Sequence, residues 1–279
     1  MDNRYPYQTY TVPCKEKRLL LVTDVHNCHI DWYGSTAEDR LTFLCKCFHA
    51  HHERQPYDAI LSLGDYSLDF WKWNEGGSYL WNPPVSRTDV FVKSYVPQMP
   101  TEFFMIPGNH EQYSHDDWQN ITGRPREYAV VYGDYVFAML DTFAGQLDPK
   151  ENHDGCYTGI NTAFLSAVLH DHPDKSVILC AHDLIPSLER DAARTLVCEN
   201  PRIVCAFTGH THRDNTLLLP ASWRHLPCST AAISHITAVV IKQKSGVTVC
   251  LTSPAMYFPP SISESDLQDR RETRSLWNH

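Results

Sequence analysis

Asp24-Val25-His26, Gly64-Asp65, Gly108-Asn109-His110-Glu111, Ala181-His182 and Gly209-His210-Thr211-His212 concentrate carboxylate, imidazole and amide donors into five short segments. Oxygen and nitrogen donors in this mixture, with no thiolate among them, suit first-row ions of intermediate hardness such as Mn, Fe or Zn. Two such ions ~3.5–4 Å apart can lower the pKa of a bound water and clamp an in-line displacement at phosphorus. A lone Asp or His more often does no more than bond its own loop. The order and setting of the five segments therefore carry the reading.

Each segment follows directly on an apolar run. Residues 19–22, 59–63, 102–106, 176–180 and 203–207 are short, apolar and bounded by Gly, Pro or polar residues. That pattern predicts β-strands buried on both faces. With a donor segment at the end of each, the site is expected at the C-terminal edge of one sheet, where open α/β sheets place their ligands. Between the strands, residues 36–53 predict a helix with Leu41, Leu44, Cys45 and Phe48 on one stripe. Further helices are expected over 89–96, ending at Pro97, and over 188–198. Another is capped by Asn161, carries Phe164, Leu165, Val168 and Leu169, and ends before Pro173. Two hairpin patterns, 128–132 with 135–140 and 236–243 with 247–251, predict a second, mainly antiparallel sheet packed on the first.

In this order, and over residues 19 to 251, the motifs resemble those of the calcineurin-like metallophosphoesterases. Size and spacing look most like the small bacterial-type phosphodiesterases, including the class III cyclic-nucleotide group. The resemblance implies an α/β fold, a four-layer α-β-β-α sandwich of two mixed sheets with helices on both outer faces. It implies a catalytic domain over 1–253 and leaves 254–279 as a polar C-terminal extension. By the family pattern Asp24, His26 and His212 hold one ion, Asn109, His182 and His210 hold the other, and Asp65 bridges both. In an extended segment residues i and i+2 point the same way, which would let Asp24 and His26 reach one ion. A sharp loop after Gly209 would send His210 and His212 to separate ions. Two divalent ions would outweigh Asp24, Asp65 and a bridging hydroxide by a single positive charge, which attracts a phosphate and its transition state. The resemblance makes His110 the catalytic residue that contacts the phosphate and supports departure of the leaving oxygen, while hydroxide attacks.

One departure is plain. Many relatives carry Gly-Asp-x-x-Asp, and purple acid phosphatases carry a tyrosine at the last position; here that position is Leu68, with an acid one residue later at Asp69. The chain is therefore not read as a purple acid phosphatase, and Asp69 or Glu111 is left to support His110. The rim is expected from residues 66–81, rich in aromatic rings, with Trp71 and Trp73 as candidate substrate contacts alongside Glu111.

Composition sets the remaining bounds. A net charge of −9 over 279 residues disfavours a broad nucleic-acid surface. No apolar stretch approaches the ~20 residues that span a bilayer. Residues 1–6 hold no apolar signal core, so ten cysteines read as reduced thiols of a cytoplasmic protein. The expected partner is a small-molecule phosphate ester, phosphodiester favoured; the alternatives are a phosphomonoesterase with the same centre or a non-catalytic scaffold. The sequence implies no particular oligomeric state.

Overall fold

Along Leu19-Leu20-Leu21-Val22 every side chain is buried, and alternate residues enter different cores. In the computed structural model the described residues are 5–27, 36–70, 86–143, 145, 155–188 and 191–210, with strands at 215–217, 228–230, 237–242 and 246–251. Strands β1 (Thr9–Val12), β2 (Arg18–Val22), β3 (Ala59–Ser62), β4 (Glu102–Met105), β5 (Tyr128–Tyr132) and β6 (Tyr135–Leu140) precede β7 (Ser176–Ala181) and β8 (Ile203–Thr208). The last four are β9 (Asn215–Leu217), β10 (Cys228–Thr230), β11 (Thr237–Lys242) and β12 (Gly246–Leu251).

These strands form two mixed sheets, ordered β12-β11-β2-β3-β4 and β1-β5-β6-β7-β8-β10-β9. Leu19, Leu21, Leu61 and Phe104 of the first face Val130, Phe137, Ile178 and Phe207 of the second across a shared core. The alternate residues Leu20, Val22, Ile60 and Phe103 turn outward onto helix α1 (Ala37–Arg54), whose Leu41, Cys45 and Phe48 are buried against them. On the far side Val136, Ala138, Val177 and Leu179 meet α4 (Thr162–Asp171) through Phe164, Leu165 and Val168. The result is helix, sheet, sheet, helix. Strands covered on both faces need no polar side, which is why the runs read as continuously apolar.

Local signals account for the helix starts. Thr36 accepts the Asp39 amide while Asp39 reaches back, a capping box at the start of α1. Asn161 caps α4 through the amides of Ala163 and Phe164.

Several expectations change. The five donor segments do not end one sheet: β2, β3 and β4 lie in one, β7 and β8 in the other. The two hairpins likewise part company, β5–β6 joining the larger sheet and β11–β12 the smaller. Neither sheet is mainly antiparallel. The helix expected over 89–96 starts earlier as α2 (Arg87–Val90), widens into a π turn at Phe91–Tyr95 and ends in a 3₁₀ turn, Val96–Gln98. The last predicted helix is two pieces, α5 (Ile185–Leu188) and α6 (Asp191–Cys198). Helix α3 (His115–Thr122) was not expected, although Ser114 accepting from the Asp117 amide is a legible cap. Residues 254–279 lie outside the described residues. Among the described residues no helix is long and apolar enough to cross a membrane.

Candidate metal centre

The donors converge through backbone that most residues avoid. Five non-glycine residues have positive φ among those described, and four are Asp24 (58°), His26 (50°), Asp65 (58°) and His210 (68°). Each such residue costs roughly 1–3 kcal/mol and persists only where the surroundings enforce it, a pattern that concentrates at functional sites. Asp24 and His26 are thus not on an extended segment as expected; two left-handed kinks aim them. Backbone bonds enforce the kinks. The Asp24 amide donates to Gly64 O at 3.0 Å, that of His26 to Asp65 O at 2.9 Å and that of Asn27 to Tyr66 O at 2.7 Å. From the other sheet, the loop after β8 lies tight against β2: a Cβ on Gly209 would stand 2.1 Å from Thr23 Oγ1.

Asp65 is the hub. Its Oδ2 lies 3.3 Å from His26 Nε2, 3.1 Å from His182 Nε2 and 3.9 Å from His110 Nε2, while Oδ1 accepts the His110 amide at 3.1 Å. Burial works against its charge, but the His182 and His110 imidazoles prevail and hold its pKa well below the usual range. His182 Nδ1 lies 2.7 Å from the carbonyl of Leu63, so its proton sits there and Nε2 faces Asn109 Oδ1 at 2.9 Å. Asn109 Oδ1 also lies 3.1 Å from His210 Nδ1. Burial opposes charge on His182, yet Asp65 overrides it and pushes the ring up to about 10.

The oxygens of Asn109 and Asp65 therefore converge on His182 Nε2 in a buried place. Positive charge at that point, from a proton on His182 or from a metal ion, satisfies them. Among the described residues two donor groups meet the distances for a shared ion, His26, Asp65 and His110, and Asp65, His182 and His210, with ligand atoms within 4.8 Å in each. Asp65 belongs to both. The nitrogen and oxygen donors fit Mn, Fe or Zn, and none is a thiolate. Asp24 Oδ1 is 3.8 Å from His26 Nε2 and Asp24 Oδ2 accepts the His210 amide at 3.2 Å, so Asp24 borders both groups. His212, Trp71 and Trp73 lie outside the described residues.

Glu111 and Asp69 are placed differently from expectation. Glu111 is fully buried beneath the loops, with both oxygens taken by backbone amides, and offers no surface to a substrate. Asp69 turns toward the start of α2, where its Oδ2 accepts the Arg87 amide at 2.8 Å and the Tyr113 hydroxyl at 2.7 Å. Of the aromatic stretch, Tyr66 and Phe70 are core residues, as is Trp118. Arg126 was not anticipated. It donates to Asp141 at 2.5 Å and to the carbonyls of Tyr113 and Phe143 at 2.7 and 3.4 Å. It thereby fixes Phe143, whose ring centroid lies 5.8 Å from that of His182. A single Arg before a strand has no spacing pattern that would reveal such a strut.

Nitrogen and oxygen donors gathered around one carboxylate, where two stacked mixed sheets end together, are the arrangement of a metallophosphoesterase. Residues 17–214 match the model of the calcineurin-like phosphoesterases, and the chain belongs to that family. Solved structures agree in fold. A candidate 5′-nucleotidase from Staphylococcus aureus, solved with alpha-ketoglutarate, aligns with TM-score 0.55 and 16% identity over 92% of this chain and 58% of its own. The sulfate thiohydrolase SoxB from Thermus thermophilus, solved with glycerol, aligns with TM-score 0.51 and 15% identity over 97% of this chain and 62% of its own. The chain thus spans about three-fifths of the length of each. No curated protein matches it.

Proposed function

We propose that this chain is a metal-dependent phosphoric ester hydrolase that uses two ions of the Mn, Fe or Zn group and favours phosphodiesters. The sharing of Asp65 between two donor groups is the observation that supports the reading most. When bound, a metal pair supplies Lewis acidity and a water of lowered pKa. Asp24, His26 and His212 would hold one ion, Asn109, His182 and His210 the other, with Asp65 between. His110 keeps 9% of its surface exposed, the edge from which a ring can reach an ester. There it passes a proton to the leaving oxygen. Its backbone amide donates to Asp65 Oδ1 and holds the residue beside the shared carboxylate. Trp71 and Trp73 follow the Asp65 loop and would stack on the organic group of the ester.

A phosphomonoesterase would use the same centre, and the 5′-nucleotidase name of one neighbour favours that second reading. The test is turnover of Mn²⁺-loaded protein on a bis-nitrophenyl diester and a nitrophenyl monoester. Faster hydrolysis of the diester is expected. Preference for the monoester would select the second reading, and no turnover of either would favour a scaffold.

A further inference from the structure

Glu111 grips two donor loops at once. Its Oε2 accepts the amides of Asp65 and Gly108, each at 2.8 Å, and its Oε1 accepts those of Tyr66 at 2.9 Å and Ser67 at 3.2 Å. Three of these amides belong to the loop after β3, which carries Asp65, and one to the loop after β4, which carries Asn109. All are N–H donors, so the carboxylate form alone satisfies them. The loops touch: a Cβ on Gly108 would stand 2.1 Å from Asp65 Oδ1 and 2.6 Å from the Asp65 amide.

The neighbouring contact is made without Glu111. Three backbone bonds of 2.7–3.0 Å tie the loop after β2 to the loop after β3. Past the Ile106 amide on Ser62 O at 3.2 Å, the loops after β3 and β4 are joined by the His110 amide on Asp65 Oδ1 and by the Glu111 carboxylate. The two metal positions therefore differ in what holds them. The one using Asp24, His26 and Asp65 rests on backbone pairing. The one using Asp65, Asn109 and His182 depends in addition on the Glu111 link between the loops after β3 and β4.

We propose that Glu111 is a positioning residue that holds Asn109 in register with Asp65 and so assembles the second metal position, making no contact with substrate. This rests on the reading of the centre as a metal pair. In Glu111→Gln an NH₂ group replaces one oxygen and meets two N–H groups, so two of the four bonds are lost whichever way the amide turns. Glu111→Asp keeps the charge and loses the reach.

The test is a Mn²⁺ titration of the full-length wild type and both variants, read by metal content and by electron paramagnetic resonance. Wild type is expected to take two ions and show the signal of an exchange-coupled pair. Both variants are expected to bind the second ion roughly 10–100-fold more weakly, and the first, whose loop keeps its three backbone bonds, with a smaller loss. Below saturation they should show the six-line signal of an isolated ion. Unchanged second-site affinity in Glu111→Gln, or full recovery of the coupled pair in Glu111→Asp, overturns the proposal, the latter because charge alone would then suffice. Wild type that fails to take two ions overturns the reading of the centre itself, and that result is visible before any variant is made.

Discussion

The His110 ring lies 3.9 Å from Asp65 Oδ2 and edge-on to His26, with ring centroids 5.9 Å apart. That position allows a proton donor at the edge of the centre, and it also places a ring nitrogen among the donors of one group. The two roles separate on substitution. If His110 protonates the leaving oxygen, His110→Ala keeps two ions per chain while kcat falls by about two to four orders of magnitude. The loss should be smaller for a nitrophenyl ester than for an alkyl ester, since a good leaving group needs less protonation. Loss of an ion in His110→Ala would instead make it a ligand. At this scale the donors are legible in the sequence because few side-chain types can bind such ions. What they rest on is not. Asp65, Asn109 and His182 stand out by type, whereas the roles of Glu111 and Arg126 appear only once loops distant in sequence are seen to meet.

Helix α4 shows how an element's start can carry a pH dependence. Asn161 caps the helix with its oxygen and donates its amide to Glu127 at 2.7 Å, so the Glu127 carboxyl sits beneath the cap. Burial raises the pKa of Glu127 from 4.5 to about 7, against hydrogen bonds from Tyr5 and Asn161, with Asp141 adding to the rise and Arg126 opposing it. His115 lines the same cavity. Between those two values the folded chain holds more proton than the unfolded chain. The stabilising contribution is therefore full below pH 4.5 and lost as pH rises through 7. Its size is on the order of 3 kcal/mol. Replacing Glu127 with Gln removes the dependence. The Tm of Glu127→Gln minus that of wild type should grow from pH 4.5 to 7 and then level; a difference flat across that range would show that Glu127 titrates normally. Elements themselves are legible where one signal suffices, as in the capped, striped α1. The π turn at Phe91–Tyr95 is not, because the widening follows from packing Phe91 and Tyr95 against the sheet and α1 and leaves no local mark.

Over the whole molecule the centre exists only because two sheets end together. Asp24, Asp65 and Asn109 follow β2, β3 and β4 of one sheet, and His182 and His210 follow β7 and β8 of the other. Periodicity shows that these strands are buried on both faces, but it does not show which strands are neighbours. The five runs look alike, so they read as one sheet; only pairing and the core between Leu21, Leu61, Ile178 and Phe207 divide them. The central claim is that one carboxylate joins donors from both sheets into a single two-metal centre. Asp65→Asn removes one charge at the shared position and leaves the fold's packing in place, so metal content and turnover of the Mn²⁺-reconstituted variant test it most directly. Wild type should carry two ions per chain, and the variant should lose occupancy at both positions together with its turnover. A variant that keeps two ions and near-normal turnover would show that Asp65 does not bridge them.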